Sequence, residues 1–74
     1  MNDEVLPVVV FSGSYSAAAV LASILNGSGI AATLYGPPRF MFSALSRVVV
    51  AKADVDRAMP LVEEFAKTYI VTND

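Results

Sequence analysis

Apolar residues follow two rhythms along this chain, and the switches between them mark its elements. Residues 5–11 (VLPVVVF) are β-branched and aromatic, which predicts a strand with Pro7 at its start or on an edge. Ala17, Leu21, Ile24 and Leu25 then recur at i, i+4, i+7 and i+8, the stripe of an amphipathic helix. Ser14 or Ser16 can cap its start, while Asn26 and Gly27, with Gly29 beyond, mark its stop. Residues 30–35 (IAATLY) and 47–52 (RVVVAK) read as a second and a third strand. Asp54 opens a second helix as its cap, with Val55, Ala58, Met59, Val62, Phe65 and Ala66 on one face. Asp56, Arg57, Glu63, Glu64 and Lys67 take the other face. Pro60 removes the helical bond to the Asp56 carbonyl, but on the polar side, where water replaces it. Residues 69–72 (YIVT) complete the pattern as a short last strand.

A faint repeat runs through these elements. The stretch VVVFSGSYSAAAVLASIL (8–25) overlays VVVAKADVDRAMPLVEEF (48–65), with Ser14 on Asp54, Ala18 on Ala58, Leu21 on Leu61 and Leu25 on Phe65. A β-α-β unit used twice predicts an α+β fold, the ferredoxin-like split β-α-β (βαββαβ). Its antiparallel sheet carries both helices on one face. The expected core is Val8, Val10, Leu21, Ile24, Leu25, Ile30, Leu34, Val62 and Phe65. The opposite face of such a sheet is ordinarily polar. Here both valine runs leave it apolar, with Thr33 and Tyr35 set against Ile30, Ala32 and Leu34. A bare apolar face of several hundred Å² is more than a monomer usually leaves uncovered, so a homo-oligomer is expected, most simply a two-fold dimer.

Composition sharpens that expectation. A chain of 74 residues is read as a single domain over 1–74, near the lower limit for folding alone. It is 55% hydrophobic and only 16% charged, against ~25% charged in ordinary domains. Cysteine and histidine are both absent, which removes disulfides, thiolates, the commonest metal ligand and the usual proton shuttle. A net charge of −2 with five basic residues gives no footprint for a nucleic-acid backbone. The acidic start MNDEV argues against a secretory signal, and the apolar runs 5–11 and 17–22 are too short to span a bilayer. The expectation is a cytoplasmic protein without nucleic-acid or membrane partners.

Little in the chain offers chemistry. The turn FSGSYSA places Ser12, Gly13 and Ser14 before a helix, where backbone N–H groups and hydroxyls can hold an anion. The plainer reading is a glycine turn and a serine cap, and the spacings of dinucleotide or P-loop motifs are missing. No carboxylate pair suggests acid–base work, and no histidine is present to activate Ser12, Ser14, Ser16, Ser43 or Ser46. An enzyme is therefore not expected, nor a cofactor. The connection YGPPRFMFSALS (35–46) is the stronger signal. Arg39, Phe40, Met41 and Phe42 are types enriched at interfaces, and Pro37 and Pro38 stiffen its base. It serves either to cover the subunit or its dimer, or to dock a protein partner.

The order of strand, SYSAAAVLASILNGSGIAATL, variable connection and RVVVAKADVDRAMPLVEEF resembles the prokaryotic signal-transducing family grouped with the PII-like proteins. The stretch from Ala18 to Leu25, followed by Gly29 and Ile30 entering a strand, carries the resemblance, with the third strand leading to Asp54, Ala58, Leu61 and Phe65; it spans about 8–65. It implies a ferredoxin-like fold and a signalling role. PII proteins carry an effector-reading loop between strands two and three, where 35–46 falls. Their nucleotide-binding basic cluster has no counterpart here, so no nucleotide site is carried over. The chain is also similar to the ACT domains, which share the topology and the Gly-Ile entry into a strand. That implies the alternative of a small-metabolite sensor binding near SGSYS or at a subunit junction.

Overall fold

Among the described residues Ser46–Ala51 forms the middle strand of three, and the other elements are arranged around it. The computed structural model describes residues 6–36 and 45–70. Its elements are β1 (Pro7–Gly13), α1 (Tyr15–Gly27), β2 (Ala32–Tyr35), β3 (Ser46–Ala51) and α2 (Val55–Phe65). A 3₁₀ turn, Lys52–Asp54, leads into α2, and a wider π turn, Ala66–Ile70, follows it. The sheet order is β1-β3-β2, and β3 runs antiparallel to both neighbours. The fold is α+β, with two helices against one face of a three-stranded antiparallel sheet.

Burial on that face is continuous. Val48 and Val50 of β3 join Ala17, Ala18, Leu21, Ala22 and Leu25 of α1 and Ala58, Val62 and Phe65 of α2 in one core, with Ile30. Val10, Leu34 and Ala32 pack against it. Leu21 and Leu25 are fully buried, each stabilising the fold by about 1.5–3 kcal/mol. Of the expected core, Val8 is half-buried and stands outside this cluster, and Ile24 is the larger exception. It is 40% exposed and Ala22 is buried instead. The stripe on α1 is rotated toward its alanines, because small side chains let a helix lie close to the valines of β3.

Local signals explain the ends of α1. Ser14 has extended dihedrals, and its Oγ accepts the Ala17 N–H at 3.2 Å, as an N-cap should. At the other end, Ile30 N–H reaches the Leu25 carbonyl at 3.0 Å and Gly29 N–H the Asn26 carbonyl at 3.1 Å. These two bonds, with Gly29 at φ 85°, make a Schellman motif. Its hydrophobic contact is supplied by the buried pair Leu25 and Ile30.

Two expected features differ. Asp54 does precede α2, but its side chain makes no capping bond. As the last residue of the 3₁₀ turn it has helical dihedrals rather than the extended ones that aim a cap side chain at the N–H groups. Its Oδ1 accepts instead from Arg57 at 2.8 Å, an exposed ion pair. The second concerns the fourth strand. Tyr69 and Ile70 continue the helical path in the π turn, so no strand begins there. Val71 and Thr72 lie outside the described residues. Pro60, by contrast, sits inside an unbroken α2 on its exposed side, as its position suggested.

The two glycines at the end of α1 should respond oppositely to alanine. Gly27 is helical with open space around it, so Gly27→Ala is expected to raise stability by about 0.5–1 kcal/mol. Gly29 has positive φ, so Gly29→Ala should lower it by about 1–2 kcal/mol. Urea titration of the two variants checks the pair; equal responses would contradict the described helix end.

Candidate interaction face

Cross-strand register sorts the side chains that point away from the helices into three rows. Val9, Val49 and Thr33 form the middle row. Pro7 and Ala51 stand at one end with Ala31 alongside, and Ser12, Arg47 and Tyr35 at the other. Val9 is 51% exposed and Tyr35 52%, while Val49, flanked on both sides, is only 9% exposed. Two shallow depressions on this face share Pro7, Tyr35 and Val49 in their walls. Among the described residues Arg47 is the face's single charge. The alternation read for 30–35 holds: Ala32 and Leu34 point inward, Thr33 and Tyr35 outward.

Both edges of the sheet are obstructed, each by a different device. In an antiparallel ladder, residues alternately turn their N–H and C=O toward and away from a neighbour. The Leu6 carbonyl accepts from Lys52 N–H at 2.9 Å, so Pro7 and Val9 face the free edge of β1. Pro7 has no N–H to offer there. Beyond Val9 the register shifts: Val9 pairs with Val49 but Phe11 with Val48, a bulge at Val10 that breaks the row of free groups. On the β2 side, Ala32 faces outward and the Asn26 side chain takes both of its backbone groups. Oδ1 accepts Ala32 N–H at 3.0 Å, and Nδ2 donates to the Ala32 carbonyl at 3.2 Å and to the Ala22 carbonyl at 2.9 Å. A side-chain amide there completes the pairing that a further strand would otherwise make.

The bulge also explains Gly13. By moving Phe11 to the helix side it sets that ring edge-on against Phe65, with centroids 5.5 Å apart and planes at 86°. A Cβ on Gly13 would lie 2.9 Å from two atoms of the Phe11 ring. The turn needs glycine there because an aromatic ring lies over it. Of the three residues suggested for a ligand, Ser14 uses its hydroxyl as the cap, Gly13 lies under Phe11, and Ser12 is exposed on the open face beside Arg47. Arg39, Phe40, Met41 and Phe42 lie outside the described residues. Among the described residues no three Asp, Glu, His or Cys side chains come together to hold a metal, and no helix is long and apolar enough to cross a membrane.

Asn26, Phe11 and Ser46 are the residues that sequence reasoning passed over. Asn26 reads only as a helix stop, since its bond to Ala32 crosses from one element to the next. Phe11 falls outside under strict alternation, and the available hint was an aromatic two residues before a glycine. Ser46 pairs with Gly13 at the start of β3, is 1% exposed, and its hydroxyl has no hydrogen-bond partner.

No family model, curated protein or solved structure matches this chain.

Two substitutions at this end of the sheet should diverge. Ser46→Ala removes an unsatisfied buried hydroxyl and is expected to raise stability by about 1 kcal/mol. Gly13→Ala drives Phe11 off Phe65 and should lower it by about 1–3 kcal/mol. Thermal unfolding of both checks the assignment; a neutral Gly13→Ala would mean that the ring is free to move away.

Proposed function

We propose that this protein is a small, non-enzymatic interaction module of a signalling type that self-associates through the open face of its sheet. The observation that carries the reading is the apolar middle row beside two obstructed edges. Val9 and Tyr35 are half exposed around a central valine, while strand addition is hindered on either side. A second copy of the same face is the simplest cover, because two such surfaces are matched in polarity and two-fold pairing closes. Arg47 and Tyr35 occupy one end of the face, so a two-fold arrangement can hold the two arginines apart.

Size sets the strength of this association. Three strands about 4.8 Å apart and roughly six residues long cover about 300 Å² in projection. A stable interface takes about 800 Å² from each partner. The dimer proposed is accordingly weak and reversible, and a protein partner can compete for the same surface. Residues 37–44 fall in the chain between β2, which ends at Tyr35, and β3, which begins at Ser46. In this reading Arg39, Phe40, Met41 and Phe42 extend the contact at that margin and select the partner. The sheet order and the two helices on one face support a ferredoxin-like arrangement, and the resemblance of residues 8–65 to the PII-like proteins supports the signalling role.

Sedimentation velocity over a wide concentration range tests the self-association. The expected result is a shift from monomer to dimer that the double substitution Val9→Ser with Tyr35→Ser abolishes without lowering the unfolding midpoint. A parent chain that stays monomeric at every concentration would sink the proposal, and so would a variant that dimerises as the parent does.

A further inference from the structure

The amide that closes the β2 edge belongs to an Asn-Gly pair, the peptide sequence most open to deamidation. In such a pair the main-chain nitrogen of the glycine, once deprotonated, attacks the asparagine Cγ. The amide leaves as ammonia and a succinimide closes. Water then opens that ring at one carbonyl or the other, giving aspartate or isoaspartate. The net change is amide plus water to carboxylate plus ammonium, with no other reactant. Glycine allows the attack because it carries no Cβ to obstruct the ring.

We propose that Asn26 is a deamidation site gated by the fold, chemically protected while α1 is docked on β2 and converted when that contact opens. Three features on the same residue support this. Its side chain is held by three hydrogen bonds, to Ala22, to the Ala32 carbonyl and to the Ala32 N–H, which fix Cγ away from its own main chain. Gly27 is the last residue of α1, where its N–H is directed into the helical ladder rather than toward a neighbouring side chain. Yet both residues are exposed and the helix ends there, so the protection rests on a terminal turn, the part of a helix that opens most readily.

Conversion is then irreversible in its effect. A carboxylate at position 26 has no N–H for the carbonyls of Ala22 and Ala32, and it places negative charge at the C-terminus of α1, where the helix dipole opposes it. Isoaspartate goes further, since it lengthens the backbone within the turn that carries the Schellman bonds. Aspartate frees the Ala32 carbonyl while an oxygen remains to accept the Ala32 N–H, and isoaspartate, by shifting the side chain, frees both. The site would act as a record of opening: molecules whose helix end has come off the sheet long enough are changed so that it no longer returns fully.

The test is peptide mapping of the intact chain after incubation at mildly alkaline pH, in native buffer and in concentrated urea, with Gly27→Ala alongside. Conversion at Asn26 is expected in urea. In native buffer it should be at least about tenfold slower, the factor that about 1.4 kcal/mol of opening free energy gives. Gly27→Ala should suppress it in both. Equal rates in the two solvents would overturn the gating, and absence of conversion in urea would overturn the site itself. The consequence is read separately on Asn26→Asp, whose unfolding midpoint should fall by at least about 4–8 °C, the shift that losing even one of the two donated hydrogen bonds gives in a domain this size. An unchanged midpoint would overturn the claim that conversion loosens the edge.

Discussion

A three-stranded sheet has as many edges as a larger one and only a single strand between them. Two of its strands must therefore face outward, and each carries backbone groups that would pair with any chain that came near. Much of this molecule follows from how those edges are closed. Asn26 bonds across to Ala32 and so welds the end of α1 to β2. Pro7 and the bulge at Val10 deny β1 an unbroken row of donors. The bulge in turn brings Phe11 under the helices, onto Phe65 and over Gly13. Closing an edge and filling the core are here the same event.

What could be read from the chain beforehand follows the reach of each signal. The cap at Ser14, the stop around Gly29 and the alternation of Thr33 and Tyr35 with Ala32 and Leu34 depend on neighbours a few residues away, and they were legible. The rotation of α1 was not. That helix has no charged residue to mark its wet side, so Ile24 looks as fit for the core as Ala22. α2 has a strongly marked polar face, and its buried residues Ala58, Val62 and Phe65 were assigned correctly. Asp54 was misread because the same aspartate suits a cap or a 3₁₀ turn, and only the path of the chain after Ala51 decides between them. Phe11 required knowing that a residue was inserted in the register against β3, which no local pattern of β1 reveals. Of the candidate site, the apolar character of the open face was legible; the blocking of its edges was not.

Charge is distributed as unevenly as burial. The exposed side of α2 and the turn after it carry Asp56, Arg57, Glu63, Glu64 and Lys67, whereas among the described residues the open face of the sheet has Arg47 alone and α1 has none. A helix covered with both signs of charge is well hydrated and gives up water reluctantly. The opposite side of the molecule has far less to lose on contact. The two sides are thus matched to different surroundings, and a partner reaching the sheet would meet few polar groups needing new hydrogen bonds.

The position of β3 in the chain has a further consequence, for synthesis. β1 has one neighbour in the sheet, and that neighbour is encoded last of the three strands, after the whole of α1 and β2. While the chain emerges from its N-terminus, the valines of β1 leave the ribosome long before the strand that will cover them. A run of consecutive β-branched residues with nothing to pair with is the kind of segment that aggregates. Pro7 stands immediately before that run, at a place where the finished sheet asks nothing of its nitrogen. The residue that blunts an edge in the folded molecule is therefore also a gatekeeper for the nascent one, guarding β1 during the interval before its partner exists.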